Sequence, residues 1–207
     1  MKIYDISWPI FPGMTAYKDR NTVEIKQTKT FEVDGARESL ITLSSHSGTH
    51  IDAPAHFLKD GKSLEEINPL ACVGPATVFD MTHVQTGISV QDIESLSIEP
   101  HKIVLFKTRN SERKVYDPFD HAFVYLDAQA AALLTEKHVQ AVGIDYLGIE
   151  RAQPQHDTHK QLLEHNIPII EGLRLGHVPA GEYFLWCLPL NIPNIDAAPA
   201  RAVLIEG

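Results

Sequence analysis

The sequence predicts an α/β fold, a single domain over residues 1–207 layered β/β/α around a mixed sheet. Three observations carry this reading. After about Pro75, apolar runs that read as buried strands alternate with short capped helical segments, the pattern of βαβ units. The first third reads as strand and loop, which adds a second β layer or an antiparallel portion. Finally, 207 residues with 43% apolar and 22% charged side chains suffice for a full core and are ordinary for a globular domain.

The elements follow in order. Pro9, Pro12 and Gly13 break the chain near its start. Residues 40–45 form a strand leading straight into a cluster of histidines. Residues 76–80 form a buried strand. Ser89 caps a short helix through Leu96, with Asp92 three residues on. Residues 102–106 are again a buried strand. Asp127 caps a helix over residues 128–137, rich in alanine and leucine. A strand at 141–145 precedes a short helix at 158–165 capped by Asp157, and strands at 167–171, 184–190 and 202–206 complete the set. No repeat, low-complexity tract or Gly/Ser linker interrupts the chain, and a boundary near residue 75 is not favoured.

Composition narrows the function. The formal charge of −9 and the lack of a basic patch disfavour nucleic acid as a partner. No apolar run of about 18 residues is present, so no membrane span is expected. Residues 1–7 lack a signal-peptide pattern, and a cytoplasmic location is the default expectation. Cys72 and Cys187 show no CxxC spacing and read as small buried hydrophobes.

The first chemical motif runs from His46 to Phe57. Its candidate ligands His46, His50 and Asp52 all occupy even positions, which share a face in extended chain. Gly48 lies on that face with no side chain, leaving room for an ion between the histidines. A helix would also align His46 with His50, but Ser47, Gly48, Thr49 and Pro54 disfavour one. Neutral imidazole and carboxylate are the usual ligands of zinc and also suit manganese. Three protein ligands leave a position open for water or substrate. A lone histidine is most often surface or satisfied core; three histidines and an aspartate within eleven residues are not explained that way. His56 follows Pro54, which bends the chain. It reads as a general acid/base, since histidine titrates near neutral pH, with ligand and bystander as its other readings.

The second motif contains His156, His159, His165 and Glu171. Glu171 sits within an apolar strand that should be buried, and a buried carboxylate without a partner is costly. A metal removes that cost, as would an arginine or lysine partner or a position at the strand's end. Spacing alone does not choose among the three histidines. Five ligands including two carboxylates exceed what one tetrahedral ion needs, so a binuclear site is expected.

At this point the residues show a resemblance. The run from His46 to Phe57 resembles the HxGTHxDxPxHF signature of the cyclase family of metal-dependent hydrolases, which includes bacterial kynurenine formamidase and isatin hydrolase. Tyr4, Asp5, Ile6 and Ser7, with Pro9, Pro12 and Gly13, resemble the family's opening. His159, twelve residues before Glu171, resembles its second ligand pair, and residues 199–203 resemble its C-terminal stretch. The resemblance implies a swivelling β/β/α fold and a homodimer or homotetramer. It implies one ion on His46, His50 and Asp52 and another on Asp52, His159 and Glu171, with the carboxylates shared, and His56 as proton donor and acceptor. The cofactor so implied is two zinc ions per chain, with manganese as the alternative.

The activity implied is hydrolysis of an amide-type carbonyl in a small molecule, with N-formylaryl amines such as N-formylkynurenine as the leading substrates. The same site in another hydrolase would open a cyclic amide or lactone, which a substrate panel separates. A cyclase or dehydratase would be told apart by product mass. A non-catalytic metal-binding protein would fill every coordination position and need no His56. Serine hydrolysis is disfavoured by the lack of a GxSxG elbow. One stretch departs from kynurenine formamidase: its Trp-Pro-Gly-Asp run, whose tryptophan contacts substrate, is matched here by Tyr17, Lys18, Asp19 and Arg20. Tyr17 can still stack on an aromatic ring, but losing the Pro-Gly turn changes the local pocket.

Overall fold

The computed structural model describes residues 1–20 and 23–207. The predicted α/β class with a mixed sheet is what the chain adopts. Along the chain run β1 (Lys2–Asp5), β2 (Glu24–Lys29), α1 (Phe31–Asp34), β3 (Glu38–Thr42), β4 (His50–Asp52), β5 (Val73–Asp80) and β6 (Gly87–Ile88). Next come α2 (Val90–Ile93), β7 (Ile103–Lys107), β8 (Tyr125–Leu126), α3 (Ala128–Glu136) and β9 (Ala141–Ile144). The last are α4 (Asp157–Leu163), β10 (Ile169–Glu171), β11 (Gly181–Pro189) and β12 (Ala197–Glu206).

The main sheet has the order β1-β12-β11-β5-β7-β9-β10-β4, and β4 also pairs with β12. The sheet therefore curls and closes on itself, with β1 on the outer edge of β12. The β/β layers expected from sequence are two sides of this one closed sheet. β5, β7, β9 and β10 run parallel, while the pairings of β1, β4, β11 and β12 are antiparallel.

Side-chain alternation explains the closure. Parallel strands covered on both faces are apolar throughout, and Ile103, Val104, Leu105 and Phe106 are all fully buried. Ile103 and Leu105 join Ile51, Ile170, Leu185 and Leu204 in one core, inside the curl. Val104 and Phe106 join Val142, Ile144 and Ile169 in a second, which includes Ile93 of α2, Ala130 and Leu134 of α3, and Leu162 of α4. A third cluster is largely aromatic and holds Trp8, Phe119, Phe123 and Tyr146 with Met14, Val23 and Leu147.

α3 starts as its sequence indicates, the Asp127 side chain accepting from the Ala130 amide at 2.7 Å. Beyond β9, buried Asp145 accepts from the Thr108 amide and hydroxyl, both at 2.7 Å, and from Ser111 Oγ at 2.6 Å. Those bonds tie the loop after β7 to the end of β9. Burial lifts the Asp145 carboxyl to about 6 although these donors oppose the shift.

Several expectations are corrected. The strand at 40–45 is β3, ending at Thr42; it pairs with β2 and not with the main sheet, and a turn at residues 45–46 separates it from β4. Ser89 and Asp92 form their reciprocal cap, yet α2 is a single turn that stops at Ile93. Asp157 is the first residue of α4 and not its cap. The chain enters from His156 in a left-handed conformation, φ 56°, whose ring is held by Glu150.

Candidate metal centre

β4 does the first positioning. Ile51 points into the core, so its neighbours His50 and Asp52 point the other way. The antiparallel register sets Glu171 of β10 opposite His50 and Ile170 opposite Ile51. Cross-strand partners share a face, so Glu171 joins His50 and Asp52. His159 lies in the first turn of α4, which packs against β10. Its Nε2 is 3.3 Å from Glu171 Oε1 and 3.7 Å from Asp52 Oδ2. His50 Nε2 is 3.4 Å from Asp52 Oδ1 and 3.5 Å from Glu171 Oε2.

His46 arrives from the turn and not from a strand, with Nδ1 3.0 Å from Asp52 Oδ1. The even-position argument therefore holds for His50 and Asp52 and fails for His46 and Gly48. Gly48 leaves no gap for an ion. It has φ +64°, and a Cβ there would meet Ile10 Cγ1 at 3.0 Å and the Trp8 carbonyl at 3.1 Å. Its carbonyl accepts from Nδ1 of His50 at 2.9 Å, which leaves Nε2 facing the carboxylates. Gly172 packs against this turn with φ +70°; a Cβ there would sit 2.3 Å from the Gly48 oxygen. Thr49 Oγ1 closes the contact by donating to the Gly172 carbonyl at 2.6 Å and accepting from the Trp8 amide at 2.7 Å.

The structure thus brings His46, His50, Asp52, His159 and Glu171 to one place. His165 lies beyond the end of α4, exposed, its Nδ1 2.8 Å from the Gln161 carbonyl. His156 contacts Glu150 and stacks on Phe57 at 4.2 Å between ring centres. His56 ends the tight 3-10 turn of Pro54–His56, which takes it out of the strand alternation. Its ring is 4.2 Å from that of His46, and ligand atoms of His46, Asp52 and His56 lie within 4.8 Å of one another.

The donor set fits a divalent cation on two counts. His50, Asp52 and Glu171 are buried and offer ligand atoms within 4.8 Å of one another. Both oxygens of Asp52 and Nε2 of His50 are buried without a hydrogen-bond partner. Buried polar atoms are nearly always satisfied, so orphans that converge on a shared point signal a cation between them. Imidazole with carboxylate suits zinc or manganese alike.

Protonation follows the same geometry. Burial disfavours the charged form of His46, but Asp52 outweighs it and lifts the ring to about 9. Burial likewise opposes protonation of His159, and Glu150 and Glu171 raise it to about 10. Asp52 is held well below the usual carboxylate range, against its burial, by His46 and His50. His56 goes the other way: burial lowers it, with His46 and His159 adding to the effect and Asp52 opposing.

Two acids were not singled out from the sequence. Glu150 Oε2 lies 2.9 Å from His159 Nδ1 and accepts from the His159 amide at 3.2 Å. It follows β9, at the carboxyl end of a parallel strand where α/β sheets place their sites, and that rule could have flagged it. Asp196 Oδ2 lies 2.9 Å from His46 Nε2 and 3.3 Å from His56 Nδ1. It immediately precedes β12, and only the pairing of Ala197 with Asp52 brings it here. No local signal marks it.

The cluster forms the inner end of a cavity of about 420 Å³. Met14, Val23, Phe57 and Leu147 supply apolar wall, and Tyr17, Lys18 and Arg20 line it as well. Tyr17 sits edge-on to Phe119 at 5.1 Å.

A family model for cyclases matches residues 4–151. This chain belongs to the cyclase family. Among family relatives, the kynurenine formamidase of Bacillus cereus is 32% identical over 97% of this chain and 95% of its own length. That of Bacillus mycoides is 34% identical over 79% and 78%. A solved potential metal-dependent hydrolase with cyclase activity is 44% identical, covers 98% of this chain and 96% of its own, and superposes with a TM-score of 0.88. An isatin hydrolase bound to the product analogue thioisatinate is 21% identical, covering 100% and 93%, with a TM-score of 0.88; that likeness is one of fold.

Two outcomes are expected. Because His46 and His159 carry protons at neutral pH when metal-free, metal must displace them. Calorimetric titration with Zn²⁺ in buffers of different ionisation enthalpy should show release of at least about one proton per ion at pH 7, and affinity rising with pH up to about 10; pH-independent affinity would refute this linkage. Glu150→Gln should weaken metal binding about 10–100-fold in chelator competition while the fold is kept, because the carboxylate that orients His159 and raises its basicity becomes a neutral amide. Native affinity in that variant would remove Glu150 from this role.

Proposed function

We propose that this chain is a metal-dependent hydrolase of N-formylaryl amines, arylformamidase-like. The observation that carries it is one cavity in which apolar walls lead to His56, set beside a buried histidine–carboxylate cluster. The kynurenine formamidases similar to nearly the whole chain support the same reading. His46, His50 and Asp52 would hold one ion, and Asp52, His159 and Glu171 a second, with zinc as the metal and manganese as the alternative. A divalent ion so held lowers the pKa of water from 15.7 towards about 7 and polarises a carbonyl.

The chain's own residues do the rest. Burial keeps His56 neutral at pH 7, so it can accept a proton. Asp196 faces Nδ1 and stabilises the charged ring, which leaves Nε2 to take a proton from water and hand it to the departing aryl nitrogen. Met14, Val23, Phe57 and Leu147 exclude water from the aryl ring. Tyr17, braced on Phe119, offers that ring a stacking surface.

Formate release from N-formylkynurenine by the metal-loaded protein tests the reading. His56→Ala should keep metal and fold and lose about 10²–10⁴-fold in turnover. Metal loss in that variant would make His56 a ligand. Full turnover would make it a bystander. Hydrolysis of isatin but not of any formamide would replace the substrate class while keeping the site.

We further infer a homo-oligomer, a dimer or tetramer. The β2–β3 hairpin stands apart from the main sheet with every strand residue exposed, and it presents Phe31, Val33, Leu40 and Ile41 to solvent. An isolated two-stranded hairpin is marginal in water, so an apolar one calls for cover. Light scattering should give a multiple of the 23.1 kDa chain mass, and a monomer at micromolar concentration would overturn this.

A further inference from the structure

We propose that Lys18 and Arg20 form an anion-binding rim that selects aryl amides carrying a carboxylate remote from the scissile bond. The proposal rests on the amide-hydrolase reading and adds to it the group that orients the substrate.

The cavity has two unlike ends. At the inner end stand His46, His56, His159, Glu150 and Glu171; among the other lining residues are the cations Lys18 and Arg20. The chain as a whole carries a formal charge of −9, and the inner end is rich in carboxylates. An anionic ligand is therefore repelled in general and attracted only where cations gather. Two exposed cations away from the carboxylates favour one orientation: anionic group outward, neutral formyl group inward.

Among the described residues, Lys18 and Arg20 form no ion pair, and Lys18 Nζ lies 5.0 Å over the ring of its own neighbour Tyr17. The one acid between them, Asp19, is committed elsewhere, its Oδ1 accepting from the Phe119 amide at 2.8 Å. The backbone that presents the pair is fixed. Lys18 and Asp19 have φ of 51° and 58°, a left-handed conformation uncommon for residues other than glycine. It is held by the Asp19 amide donating to the Ala16 carbonyl at 3.0 Å and the Arg20 amide donating to the Tyr17 carbonyl at 3.1 Å. Tyr17 packs edge-on against Phe119, and a Cβ at Gly148 would lie only 3.4 Å from its ring. A turn held on both sides places the two cations beside the aromatic slot. A guanidinium and an ammonium lining one cavity can both reach a carboxylate through charge-assisted hydrogen bonds. The ligand class is thus an N-formylaryl amine bearing a carboxylate.

The test compares para-formamidobenzoate with formanilide on the metal-loaded enzyme. The native protein should favour the benzoate by at least about tenfold in kcat/KM, with the preference shrinking as salt rises. In the double variant Lys18→Ala/Arg20→Ala the ratio should fall to within about threefold of unity, the loss lying in KM for the benzoate. Lys18→Glu/Arg20→Glu should invert the preference. A native ratio near unity, or a preference that survives in the double variant, overturns the rim. If neither formamide is cleaved, it is the hydrolase reading that fails for these substrates. Calorimetric binding of para-aminobenzoate against aniline then decides the rim without turnover. Affinity for the benzoate about tenfold weaker in the double variant supports the proposal, and unchanged affinity refutes it.

Discussion

The pairing of a three-residue strand with two neighbours is the constraint on which the rest depends. β4 lies between β10 and β12, with Ile51 opposite Ile170 on one side and Ala198 on the other. All three are buried in the core inside the curled sheet. A slip of one residue would drive His50 and Asp52 into that core and expel Ile51, because the side-chain period of a strand is two. Apolar packing therefore fixes the register, and the register fixes which polar side chains meet on the other face. The closure also recruits from a distance. Glu171 is carried in by β10, His159 by the helix before it, and Asp196 by the residue where β12 begins.

The arrangement so produced is electrostatically costly. Asp52, Glu150 and Glu171 are all at most 6% exposed, and buried carboxylates are unfavourable unless paired or bound to a cation. Here the nearby histidines supply the pairing, and the same carboxylates raise His46 and His159 far above an ordinary imidazole. Positive charge is required at this point in either state, as protons on imidazole or as a metal ion on the neutral rings. Both Asp52 oxygens lack a directed hydrogen bond, so they remain free to accept a cation held between the rings. Local stability has been given up for a cation site, the usual compromise at a functional centre.

What the sequence made legible follows from how local each feature is. His46, His50 and Asp52 lie within seven residues, and their chemistry is readable without a fold. Gly48 was legible as special but for the wrong reason. Its positive φ and the close approach of Gly172 depend on a turn that the extended-chain argument does not contain. Glu171 was readable as a carboxylate within an apolar strand, whereas choosing among His156, His159 and His165 needed the helix. Only the first-turn histidine lies over β10, while His165 falls past the helix end. Asp157 looked like the cap of α4 on residue type; the contact of His156 with Glu150, a tertiary interaction, moved the start back by one residue. Asp196 was not legible at all, since its neighbours are set by the closure of the sheet.

The same logic divides the cavity into a fixed and a free end. At the inner end Glu171 sits on β10, while His46 and His56 flank β4 through short turns and His159 comes from the helix before β10, so the register held by the core positions them together. Tyr17, Lys18 and Arg20 sit on a turn outside the sheet, held by Phe119 and Gly148 and sharing no hydrogen bond with the histidine–carboxylate cluster. Substitutions in such a turn leave the cluster's geometry unconstrained by the change, because stability effects of residues with no shared partners are close to additive. An isatin hydrolase only 21% identical superposes on this chain with a TM-score of 0.88, so the sheet and its closure persist while most side chains differ. The stretch that departs from the formamidase pattern is this turn, where Tyr17, Lys18, Asp19 and Arg20 stand against a Trp-Pro-Gly-Asp run. A scaffold that locks its reactive groups through core register and leaves the mouth of the cavity to an independent turn can change what it admits without rebuilding what it does.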